Sequence, residues 1–147
     1  MPTSVFINER LALRLHRHTG VVTRSEISNL IELYRVNPRV FMYDTIQILE
    51  DTAVFGFGVE QLPAFKVDFQ DLVEGAKLPL ILRSAWVCPS AQAWSVCEAW
   101  LHERHSLDGL HTEPCLVGSL AEAAGLFEDD ELDAVRSMAG FQHYFST

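Results

Sequence analysis

Hydrophobic and polar positions change their period along the chain, and the changes predict its elements. Over residues 9–18 they alternate, with Leu11, Leu13 and Leu15 on one side and Arg10, Arg14 and His16 on the other. A period of two predicts a half-buried strand. Thr19-Gly20 reads as a turn and Val21-Val22 as a short returning strand or bulge. At Thr23 the period lengthens. Thr23 and Glu26 have capping-box spacing, and Ile27, Leu30, Ile31 and Tyr34 lie on one helical face. Asn37-Pro38 closes this helix, because the residue before proline avoids the helical region.

Residues 40–49, rich in β-branched and aromatic side chains, predict a central strand. Residues 53–57 read as a strand or loop around Gly56 and Gly58, and residues 68–76 as a short helix burying Phe69, Leu72 and Val73. Residues 78–87 are apolar enough for a strand covered on both faces. Pro89 marks a helix start, followed by a stripe of Ala93, Val96, Cys97, Trp100 and Leu101. A loop at 107–112 and a short strand at 115–117 come next. Ser119 and Glu122 form a second capping box, expected to open a helix through Phe127, and Leu132, Val135 and Met138 are spaced for one more. The alternation of helix and strand predicts an α/β fold, a mixed sheet with helices packed on it.

Composition narrows the function classes. The 147 residues are expected to form one domain, with 48% hydrophobic and 10% aromatic residues supplying a core. No 18-residue stretch is free of charge and residues 1–10 lack a signal pattern, so no membrane span or secretion is expected. The formal charge is −9. Residues 1–73 carry 7 basic and 9 acidic side chains, and residues 74–147 carry 4 and 11. Such a surface repels nucleic acid, and only a modest group (Arg10, Arg14, Arg17, Arg24, Arg35, Arg39) opposes the trend. Cys88, Cys97 and Cys115 are odd in number and lack CxxC spacing, which fits free thiols in a reducing cytoplasm.

The chain resembles the SpoIIAA-like (STAS-related) superfamily in its bacterial branch. The residues carrying the likeness are Thr19-Gly20-Val21-Val22-Thr23, the helix end Tyr34-Arg35-Val36-Asn37-Pro38-Arg39, the strand with Asp44, the strand entering Cys88-Pro89-Ser90, and residues 119–127. The likeness covers about residues 5–127 and leaves an extra C-terminal helix at about 128–147. It implies a non-enzymatic interaction or regulatory module that binds a protein partner, such as a kinase or sigma-factor antagonist. In that family some members are switched by phosphorylation at a helix start within Asp-Ser-x-Gly. The corresponding stretch here runs from Glu50 to Gly56, where Asp51-Thr52 stands in, the glycine is displaced and no helix is capped. Thr52 is thus the candidate phosphosite. Beside Glu50 and Asp51, a phosphate there would disrupt a contact rather than build one.

Other residues suggest chemistry on their own. Cys88, between a strand and a helix start, would meet the positive end of a helix dipole, which favours a thiolate. The alternative is a small buried apolar residue. His102 and His105, with Glu98, His111 and Cys115 nearby in sequence, have spacing that permits a metal pair, and His16 and His18 share a strand face that could join it. A polar helix end explains the first pair equally well. Trp86, Trp94 and Trp100 are candidates for an apolar pocket, or for core and interface. The acidic run at 128–133 reads as a solvated helix start. The motifs GxGxxG, GxxxxGK[ST], GxSxG, HExxH and DxDxDG do not occur. The expectation is a cytoplasmic, non-catalytic homodimer with no cofactor. The alternative is a carrier or sensor of a small apolar ligand held between helices and sheet.

Overall fold

The structure, a computed structural model, describes residues 2–76, 81–102 and 111–147. The chain opens with β1 (Thr3–Asn8), which turns through Ala12 into β2 (Leu13–His18). After β3 (Val21–Val22) come α1 (Arg24–Val36), the single turn α2 (Pro38–Phe41) and β4 (Asp44–Leu49). β5 (Val54–Phe55), a 3-10 turn and α3 (Leu62–Ala76) lead to β6 (Ile81–Val87) and α4 (Ala91–Leu101). β7 (His111–Val117), a second 3-10 turn, α5 (Asp129–Ser137) and β8 (Gln142–Ser146) complete the order. Six strands form one mixed sheet in the order β7-β6-β4-β2-β1-β8. The β7, β6, β4 and β2 neighbours run parallel, and β1 is antiparallel to both β2 and β8.

Helices cover both faces. On the front, α1, α2 and α3 pack Leu30, Ile31, Tyr34, Val40, Phe41 and Leu72 onto Val5 and Ile7 of β1. Beside them, α4 lays Ala93, Cys97 and Leu101 over Leu49, Trp86 and Cys88. On the back, Leu13, Leu15, Ile46 and Ala85 meet Ala123, Phe127, Leu132 and Val135. Arg83 of β6 staples that layer down. Its guanidinium donates to both Glu131 carboxylate oxygens at 2.8 Å, to Asp44 Oδ2 and to Leu126 O, and lies 4.5 Å from the centre of the Phe127 ring.

The α/β mixed sheet is as the sequence predicts, and β2 and β6 share it with β4 between them. The Thr23–Glu26 capping box forms on both sides, and Ser90 caps α4. Several expectations are corrected. Residues 9–12 turn instead of starting the strand, and β2 is buried on both faces, with Arg14 and His16 only 6% and 2% exposed. Val40 and Phe41 belong to α2, because Pro38 at a helix start begins a new turn before β4. Val21 and Val22 pair with β5 in a separate two-stranded sheet. α3 starts at Leu62, ahead of the expected residue 68, and β7 is longer than expected. The Ser119–Glu122 box opens only one 3-10 turn, since Gly125 takes φ +101, a conformation no helix continues through. The tail holds more than an extra helix: β8 adds an edge strand to β1. Within the acidic run, Glu131 is buried on Arg83 rather than solvated. Residues 78–80 and 107–110 and the Val73 side chain lie outside what the structure describes.

Candidate ligand-binding site

A cavity of about 100 Å³ lies between the front of the sheet and its helices. Its floor follows from strand register. His16 pairs with Gln47 and Gln47 with Trp86, so one row crosses β2, β4 and β6. Arg14 stands two residues from His16, and His18 two beyond, all on the same face. Ile27, Leu30, Ile31 and Tyr34 of α1 form one wall, and Leu62, Phe65 and Phe69 of α3 another. Val96, Cys97 and Trp100 of α4, with Phe55 and Phe57 near β5, line the rest. The walls are apolar and largely aromatic; the floor is polar.

Each floor group has a definite chemistry. Arg14 donates through Nη1 to Val40 O at 3.0 Å and through Nη2 to Thr45 Oγ1 at 2.6 Å. Its guanidinium carbon lies 4.3 Å from the Tyr34 ring centre, a cation–π contact. Among the described residues no carboxylate pairs with Arg14, and burial holds its pKa below the ordinary value. His16 Nε2 lies 2.5 Å from Tyr34 Oη. Burial, reinforced by the charge on Arg14 and by His18, pushes the His16 pKa well down, so the ring is neutral at pH 7. Burial pushes Tyr34 up to about 12, so its hydroxyl keeps its proton; we assign it as the donor to Nε2, because the reverse direction would leave both the hydroxyl proton and Nδ1 unpaired instead of Nδ1 alone. The proton of neutral His16 then sits on Nδ1. Gln47 Oε1 accepts from His18 Nε2 at 2.7 Å, and His18 Nδ1 accepts from Thr3 Oγ1 at 2.9 Å; burial lowers the His18 pKa too.

Three buried floor atoms have no hydrogen-bond partner: Arg14 Nε, His16 Nδ1 and Trp86 Nε1. All three are donors. Buried polar atoms are normally paired, since an unmade hydrogen bond costs about 1–3 kcal/mol.

Of the three tryptophans proposed for a pocket, Trp86 and Trp100 line this one. Trp94 does not; its indole donates to Glu98 Oε2 at 3.0 Å on the outside of α4. Cys88 is 2% exposed and its Sγ donates to Ser90 O. Burial pushes its thiol up, against the thiolate a helix dipole would favour. Thr52 stands exposed in the turn after β4. His105 and the His111 side chain lie outside the described residues, among which no three His, Cys, Asp or Glu gather to hold a metal. His16 and His18 are instead committed to Tyr34, Thr3 and Gln47. The alternation of residues 13–18 carried the signal for the site, but Arg14 and His16 read as solvent-facing until α1 is seen to cover them.

No known protein family, curated protein or solved structure matches the chain.

Proposed function

We infer that the protein is a binding module, a carrier or sensor for a small and largely apolar ligand held between the front helices and the sheet. The observation that carries this is the aromatic-walled cavity over a floor with three unpartnered donors. Binding sites of this kind combine apolar walls with a few placed polar groups. A raised Cys88 thiol and a satisfied His18 supply no activated nucleophile or open metal ligand, which supports a non-catalytic role. The test is a thermal-shift screen of small fragments against the wild type and Val96→Phe, which fills the cavity from α4. Fragments should stabilise the wild type and not the filled variant. Equal shifts in both, or none in either, would refute the reading.

The STAS-like reading joins this one rather than opposing it: ligand occupancy would set which surface a protein partner meets. The exposed position of Thr52 favours it. Glu50, two residues away, bonds Arg17 at 3.1 Å, and a phosphate on Thr52 would compete for that cation. The proposal includes a cytoplasmic homodimer. Light scattering of the wild type and Thr52→Glu tests it; a monomer throughout, with no change in partner capture, would count against it.

A further inference from the structure

Resting on the ligand-binding reading, we propose that the ligand is a small monocarboxylate whose head is held by Arg14 Nε and His16 Nδ1, with Trp86 Nε1 donating to its acceptor side.

Charge comes first. Arg14 is 6% exposed, yet its bonds go only to a carbonyl, a hydroxyl and an aromatic face. A buried cation without a counter-charge is unfavourable, and one negative charge from outside would compensate it. His16 and His18 are neutral, so the floor carries one positive charge and calls for a monoanion. Guanidinium also offers a flat carboxylate more than one donor.

Hydrogen bonding makes the same demand. The three unpartnered atoms are N–H groups, and a carboxylate brings only acceptors. A protonated amine or a bare hydrocarbon would leave them unmatched, and an alcohol oxygen could accept from two of them at most and brings no charge. Arg14 and His16 are neighbours on one strand face. Trp86 lies two strands away across Gln47, about 10 Å at the backbone, within reach of long side chains leaning inward.

Size sets the rest. A room of about 100 Å³ is smaller than the space of about 150 Å³ that takes up benzene. The apolar body against Phe65, Phe69 and Trp100 is therefore only about two or three carbons long. The acidic surface elsewhere steers no anion inward, so selectivity arises at the floor.

The experiment titrates propanoate and its uncharged isostere propanamide at pH 7 into the intact protein, following the Trp86 indole N–H by NMR. The acid should bind about ten- to a hundredfold tighter than the amide, the range of a charge-assisted hydrogen bond. It should also move the indole proton downfield. In Arg14→Met the preference should vanish while amide binding persists. Should that variant not fold, Trp86→Phe decides, and its acid affinity should fall about tenfold. Amide binding as tight as acid in the wild type, or an unchanged acid affinity in both variants, would overturn the proposal and leave the binding module standing. Failure of both compounds to bind, in a protein that other fragments still stabilise, would overturn the carboxylate assignment alone. Failure of every fragment would remove the reading beneath it.

Discussion

Arg14→Met should make the ligand-free protein more stable. Methionine has nearly the length of the arginine stem and no charge to desolvate. The two acceptors that Arg14 serves are not orphaned: Val40 O also accepts from Tyr43 N at 3.3 Å, and Thr45 Oγ1 itself donates to Tyr43 O at 3.3 Å. Replacing even a paired buried ion by an apolar side chain is commonly neutral or stabilising by about 1–4 kcal/mol. Against this stands the loss of the Tyr34 contact, about 1–2 kcal/mol for a desolvated cation–π pair. The expected balance is a small gain of about 1 kcal/mol, or roughly 2–4 °C in Tm for a chain of this size. Urea unfolding followed by circular dichroism measures the first quantity and calorimetry the second. A loss of more than about 1 kcal/mol would mean the cation is stabilised without any ligand, and the argument for a missing counter-charge would fail.

Glu131→Gln should cost about 1–3 kcal/mol at pH 7, moderated because Arg83 is partly open to water, and it should be read from the urea midpoint. The Arg83 guanidinium holds the Glu131 carboxyl below its ordinary range, so its contribution is complete above about pH 5 and fades as the pH falls through the depressed pKa. The gap between wild type and variant should therefore narrow below about pH 4. His16 and His18 act with the same sign at higher pH. Both pKa values are depressed, the unfolded chain binds the protons first, and stability should drop as the pH falls below about 6.5. The double variant His16→Gln, His18→Gln should flatten that drop between pH 7 and 5. Leu132→Ala should cost about 2–5 kcal/mol, since the side chain is 2% exposed in the back layer. Native Cys88 and Cys97 should resist iodoacetamide at pH 7 until the chain unfolds, with burial raising both thiols.

Elements governed by local rules were legible in the sequence. The Thr23 box and the apolar stripe of α1 involve residues three and four apart, and the structure keeps them. β1 and β8 were not legible. β1 pairs with β2 through a hairpin turn that carries no Asn-Gly or Asp-Gly signal, and the polar Gln-His-Tyr-Phe-Ser at the other end becomes a strand only by finding the free edge of β1, a pairing no local window contains. The candidate site failed to show for a related reason. Alternation places Arg14 and His16 on one face of β2, but whether water or α1 covers that face depends on a crossover through β4. Trp86 and Trp94 look alike in sequence; a strand facing the cavity and a helix flank facing out separate them. The Ser119 box starts its turn by a local rule, and Gly125 decides how soon the turn stops.

The narrow ladder of β3 and β5 bears on how anything reaches the interior. Val54 N–H donates to Gly20 O at 2.9 Å and Gly56 N–H to Val22 O at 2.8 Å, and a Cβ on Gly56 would come within 3.1 Å of Val21 Cγ1. From this ladder Phe55 contacts Phe57, and Phe57 contacts Phe65, with ring centres 5.3 and 5.2 Å apart. A pair of two-residue strands breathes far more readily than the six-stranded sheet beneath it. Its hinge-like yielding would swing the first two rings aside while Arg14, His16 and Trp86 hold still. On the binding reading, how long a guest stays would then be uncoupled from how firmly the fold itself is held.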